Sequence, residues 1–150
     1  MMNEEQFDST TKLIDEAYKN VRMGSFAIDC IMPAVEENKD LSDLLRKQNK
    51  SYLKSVEQLE KLSKALSHEI VDINPMLKGS SFASIKMKTA FNKEAPHLSE
   101  MLIQGTTMGI TQLIKSHGEN PSYNDTLDKI VKDIIKYEEE FVDSLKLFLE

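Results

Sequence analysis

The sequence is short of almost everything that marks a specialised class of protein. It has one cysteine, Cys30, and no tryptophan. A lone thiol forms no internal disulfide, so no bridge framework stands in for a core, and a reducing compartment is the natural setting. Glycine and proline together number nine in 150 residues, too few for a collagenous or turn-rich chain. Basic charge is also scarce: the net charge is -6, and no Lys/Arg cluster is interleaved with aromatics. Nucleic acid, whose phosphates need a basic face, is therefore excluded as an expected partner. The longest apolar run, residues 26–35, is broken by Asp29 and Pro33 and is too short to span a bilayer. The N-terminus is acidic and polar, unlike a signal peptide. The expected location is the cytoplasm, with no membrane partner.

What is present is helix-forming sequence. Apolar residues make up 40% of the chain, enough for one core in a single domain over 1–150. An amphipathic stripe of Leu13, Ala17, Gly24, Ile28 and Ile31 predicts a first helix from about Glu4 to Val35. A second is expected from an N-cap at Asp40 to the breakers Asn74 and Pro75. The run "MLKGSS", 76–81, reads as a linker. A third helix is predicted from near Phe82 to His117, interrupted or restarted at Pro96, and closed by Gly118. A fourth opens at Asp125 and Asp128 and carries Leu127, Val131, Ile134, Phe141 and Leu145.

A shift of 85 residues superposes Met23-Gly24 on Met108-Gly109, Asp43 on Asp128 and Tyr52 on Tyr137. The expected fold is thus all-α: a four-helix bundle of two similar hairpins, about 4–73 and 82–150, ferritin-like or up-down-up-down. Residues 74–81 allow a tight turn. If the start of the third helix belongs to the connection, residues 74–95 are long enough to cross the bundle.

Two glycines one helical turn apart, Gly105 and Gly109, destabilise a helix interior by about 1 kcal/mol each relative to alanine. Close helix packing offsets that cost, and Ala17 and Gly24 on the first helix are the expected counterparts. Nearby, Glu94-x-x-His97 has the spacing of dinuclear carboxylate bundles, where Glu and His one turn apart point inward. Oxygen and imidazole donors suit iron or manganese. The remaining inward carboxylate candidates are Glu16, Glu60 and Glu138, the last on the apolar stripe between Ile134 and Phe141. A second Glu-x-x-His is missing. Met23, Met32, Met87, Met101 and Met108 are expected as core gap-fillers. No catalytic residue is assigned: Cys30 lacks a histidine partner, and no phosphate loop, Gly-x-Ser-x-Gly, Cys-x-x-Cys or EF-hand pattern occurs.

Residues 97–110, "HLSEMLIQGTTMGI", resemble a segment of a family of small, uncharacterised bacterial helical proteins. Those carry His-Ile-Ala-Glu-Met followed by Ile-Gln-Gly-Ser-Thr-Met-Gly-Ile, an early Ala/Val-x-Met-Gly and a C-terminal Leu-Lys-x-Phe-Leu. Residues 21–24 and 145–149 are the counterparts in this chain. The resemblance implies a helical layout like that of ferritin-like bundles and no catalytic role. The leading expectation is a non-enzymatic binding or structural protein, self-associating as a homodimer through Phe26, Ile103 or Ile114. The alternative is a ferritin-like iron or manganese carboxylate protein with oxidoreductase or storage activity.

Overall fold

A computed structural model describes residues 1–150, the side chain of Phe91 excepted. It contains five helices and, among the described residues, no strand: α1 Glu4–Val35, α2 Lys39–Ala65, α3 Pro75–Phe91, α4 Ala95–Glu119 and α5 Asp125–Lys146. The chain is all-α, as its periodicity predicts. Among the described residues, no helix is long and apolar enough to cross a membrane.

Each boundary has a local cause. Asn3 and Gln6 form a reciprocal capping box at the start of α1. Asn38, two residues before the expected Asp40, caps α2 by accepting from the Leu41 N–H at 3.0 Å. Asn124 caps α5 in the same way at 2.9 Å, which leaves Asp125 and Asp128 in the first turn, where negative charge is favoured.

The second helix ends well before its expected stop. Ser67 takes a left-handed conformation, φ 55°. The His68 N–H then reaches back to the Ser63 carbonyl (2.9 Å) and the Ser67 N–H to Lys64 (3.1 Å). That is a Schellman ending, built on serine where glycine is usual, so no glycine announces it. "Asn-Pro" at 74–75 does not stop α2 but starts α3. The Asn74 side chain accepts from the Met76 N–H at 2.8 Å, and Pro75 occupies the first turn, where its missing N–H costs nothing. The expected linker 76–81 is therefore helical. The break at Pro96 appears as expected, with α4 starting at Ala95.

α1 packs against α2, α3 and α4, while α5 packs against α4 and α2. Side-chain contacts fix the directions. Tyr18 meets Glu60 and Ser25 meets Asn49, so α1 and α2 are antiparallel. Ser9 meets Pro121 and Asn20 meets Gly109, so α1 and α4 are antiparallel too. α2 and α4 therefore point the same way, and the chain must travel the length of the molecule between them. α3 makes that journey, about 25 Å at 1.5 Å per residue. It runs parallel to α1, with Asp72 beside Arg22 and Lys78 over the Phe26 ring. The connection is the crossing alternative and not the tight turn.

The core is one cluster. Leu13, Ile14, Val21, Leu41, Leu45, Leu59, Leu127 and Ile134 are fully buried within it. α3 contributes little to this core: Thr89 is its buried residue and Ile85 packs from the side. Because serine in the left-handed region costs about 1 kcal/mol, Ser67→Gly is expected to raise unfolding free energy by roughly that amount. Urea denaturation monitored by circular dichroism reads the change.

Candidate functional site

Glu138 sits on the inward stripe of α5, between Ile134 and Phe141, and only 2% of it is exposed. Its Oε2 accepts a 2.9 Å hydrogen bond from the Tyr52 hydroxyl of α2, itself 2% exposed. From α1, the Asn20 amide lies beside the same carboxyl and favours its charged form. Its Nδ2 also donates to the Gly109 carbonyl of α4 at 3.1 Å. Each of the four long helices thus contributes one group to a single polar layer. Tyr137 stands edge-on to Tyr52, ring centres 5.6 Å apart, and shares a 2.9 Å hydrogen bond with Ser55.

The glycines divide between two roles. A Cβ on Gly24 would lie 2.4 Å from Tyr52 Cζ, so only glycine lets the tyrosine ring lie against α1. A Cβ on Gly109 would stand 3.2 Å from Asn20 Nδ2 and 3.9 Å from Glu138 Oε2. Gly24, Gly109 and the fully buried Ala17 are packing residues. Gly105 is not: it is exposed and nothing lies within 4 Å of where its Cβ would be. The counterpart of Gly24 is a tyrosine of α2, not the glycine groove of α4.

Burial holds the Glu138 carboxyl at about 7, far above its usual 4.5, although the Tyr52 hydroxyl and the nearby Asn20 amide pull the other way. No cation is among the groups acting on it. Burial first, and then the Glu138 charge, drive the Tyr52 phenol well above its ordinary value. Glu138 Oε1, Asn20 Oδ1 and Gln48 Nε2 have no hydrogen-bond partner among the described residues. A proton retained on the carboxyl removes the charge that burial penalises and turns one unpaired acceptor into a donor.

A carboxyl near 7 is poised for proton transfer. The group is, however, almost closed off from solvent. The two described surface clefts lie elsewhere: one, about 610 Å³, at the α1–α2 turn around Pro33, Asn38 and Lys93, the other at Asn3–Asp8. Neither is lined by Glu138, Tyr52 or Asn20.

The structure does not gather the residues expected as metal ligands. Glu94 is exposed at the start of α4, and Glu60 is exposed where it accepts from the Tyr18 hydroxyl at 3.0 Å. Glu16 is half-buried on α1. His97 Nε2 is buried without a partner, but Glu138 stands level with Gly109, twelve residues and about 18 Å further along α4. The register of the α4–α5 pair separates them, since it sets Gly109 and not His97 beside Glu138. Among the described residues, no group of three or more His, Cys, Asp or Glu side chains could hold a metal ion.

Other expectations shift as well. Met23, Met32 and Met101 are half-buried, whereas Met87 and Met108 are 64% and 62% exposed and fill no core gap. Cys30 is buried, and burial raises its thiol. Two histidine–carboxylate pairs have no signature in the sequence, His68–Asp15 at 2.9 Å and His117–Asp128 at 3.0 Å. Tyr52 carries no sequence signal beyond its place in a helical stripe. Compared with family models, curated proteins and solved structures, the chain finds no match.

Two measurements test this layer. Between pH 4.5 and about 7 the unfolded chain releases the Glu138 proton while the folded protein keeps it, so this residue's contribution to stability falls as pH rises and is flat above about 7. The full effect is roughly 3 kcal/mol. Glu138→Gln is expected to be more stable than wild type at pH 8 and about equal at pH 4, read by denaturant titration at each pH. Separately, Gly24→Ala should destabilise by about 1–3 kcal/mol through overpacking against Tyr52. Gly105→Ala should stabilise by up to about 1 kcal/mol.

Proposed function

We propose that this is a non-enzymatic, self-associating helical protein of the cytoplasm, whose outer helix faces bind and whose core only holds them in place. On this reading the four long helices are a four-helix bundle of two similar hairpins with the ferritin-like crossover, and α3 is a strap laid over the bundle. The observation that carries it is α3 itself. Met76, Leu77, Phe82 and Met87 of this one helix are 80%, 41%, 46% and 64% exposed. A helix apolar on more than one side is normally covered, and exposed apolar patches mark interaction sites.

α4 supports the same reading. No charged residue occurs from Met101 to Ile114, yet Gln104, Thr107, Met108, Thr111 and Ile114 are all exposed there. Loss of charge on an exposed face is the compositional mark of an interface. Of the apolar residues expected to mediate self-association, Ile114 is 50% exposed. Ile103 packs against the core, and Phe26 is half-buried beneath Lys78.

Sedimentation velocity across a concentration series tests the reading. The expected result is a rise in weight-average mass from monomer towards dimer. A single monomeric species at every concentration, or substrate turnover abolished by a point substitution, would overturn it.

A further inference from the structure

At 100° per residue, α3 presents two opposite faces. Lys78, Ser81, Ile85 and Thr89 form the inner one, and all four are buried or half-buried. Met76, Gly79, Ala83, Met87 and Ala90 fall within an arc of about 80° on the far side, and every one is exposed. This outer face has no charge and, apart from the two methionines, no bulk.

The order of large and small residues along it is informative. Set against a copy of itself in antiparallel sense and centred on Ala83, the face pairs Met76 with Ala90 and Met87 with Gly79. Ala83 meets its own counterpart on the two-fold axis. Each long side chain then lies over a residue with room for it. The parallel arrangement does the reverse: methionine would meet methionine, and Gly79 would meet Gly79 across a gap. A surface that complements itself about an axis is what a two-fold dimer requires.

Charge does not select the occupant. The chain is acidic overall, at -6, but α3 carries three lysines and no carboxylate, so a second copy sets like charges near one another and weakens the pairing. The lysines do not obstruct the seam. Lys78 Nζ lies over the Phe26 ring at 5.2 Å and Lys86 Nζ over the Phe82 ring at 5.6 Å. Lys88 lies about 140° around the helix from the middle of the outer face.

We propose that two copies of this chain pair through α3, antiparallel, with Ala83 on the two-fold axis and Met76 and Met87 as the anchoring side chains. The proposal rests on the self-association reading and says which surface performs it. Size sets the strength. A seam one helix long, about 25 Å, covers less than the roughly 800 Å² per partner of a standard interface, so the dimer is weak and dissociates on dilution.

The test uses the full chain, whose only cysteine is buried. Ala83→Cys places thiols on the proposed axis, and Ser84→Cys places them about 100° away on the same exposed helix. Under mild oxidation Ala83→Cys is expected to form the disulfide dimer about tenfold faster or more, because pairing holds the two thiols at a high effective concentration. Adding Met87→Lys should bring that rate down to the Ser84→Cys level, with helicity by circular dichroism unchanged. Equal rates for the two cysteine variants, or no effect of Met87→Lys, overturn the α3 seam. If wild type still dimerises in the ultracentrifuge in that case, self-association stands and another face performs it. A monomer at every concentration overturns both.

Discussion

The Tyr52 hydroxyl donating to the Glu138 carboxyl, deep in an otherwise apolar interior, is the contact on which the arrangement of the helices turns. Leucine and isoleucine layers tolerate sliding by a helical turn at modest cost, since one apolar contact resembles another. A buried carboxyl does not. Moved by one turn, Glu138 would lose its hydroxyl partner and Tyr52 would lose the space above Gly24. Misalignment leaves unpaired buried polar groups, at a few kcal/mol each. The layer therefore acts as a register key for all four long helices, with Asn20 and the Gly109 carbonyl completing it on the other side. Such a key lowers stability relative to a fully apolar core while narrowing the number of acceptable packings.

The existence of this layer is legible in the sequence, but its membership is not. Glu138 stands out because it interrupts an apolar stripe, and Gly24 and Gly109 because glycine is costly in a helix interior. The 85-residue repeat also points to it: Tyr52 and Tyr137, related by it, are in contact, and both Met-Gly pairs supply a glycine at this level. Tyr52 itself is 86 residues from Glu138, and no local pattern links a tyrosine on one helix to a carboxyl on another. His97 looks like a ligand because spacing along one helix is visible in the sequence and the level of its neighbours is not. Whether α4 runs with or against α1 moves its partners by several turns.

Helix boundaries divide in the same way. α1 and α5 carry caps of the usual residue types and are legible within a residue or so. α2 ends on a left-handed serine, a conformation that glycine usually signals, and its stop is invisible in the sequence. "Asn-Pro" can stop one helix or start another, and the alphabet does not distinguish the two until the chain's path is known; here it only starts α3. That ambiguity makes 76–81 read as a linker. It also hides α3, the element whose outer face is the least accounted for by the core. This helix is a strap that carries exposed apolar residues on the side away from the core. The core keeps Glu138 buried beneath the long helices.

The ionisation of Glu138 is the quantity that decides whether this layer is what holds the register. The carboxyl is neutral in the folded protein below about 7, held so by burial. Carbon-detected nuclear magnetic resonance of the Glu138 carboxyl, titrated from pH 3 to 9 in the folded protein, measures it directly. A midpoint near 7, removed by Glu138→Gln and with the other glutamates unaffected, is the predicted result. A midpoint near the ordinary 4.5 would mean that the group is solvated or paired with a cation, and it would contradict the buried, register-setting layer.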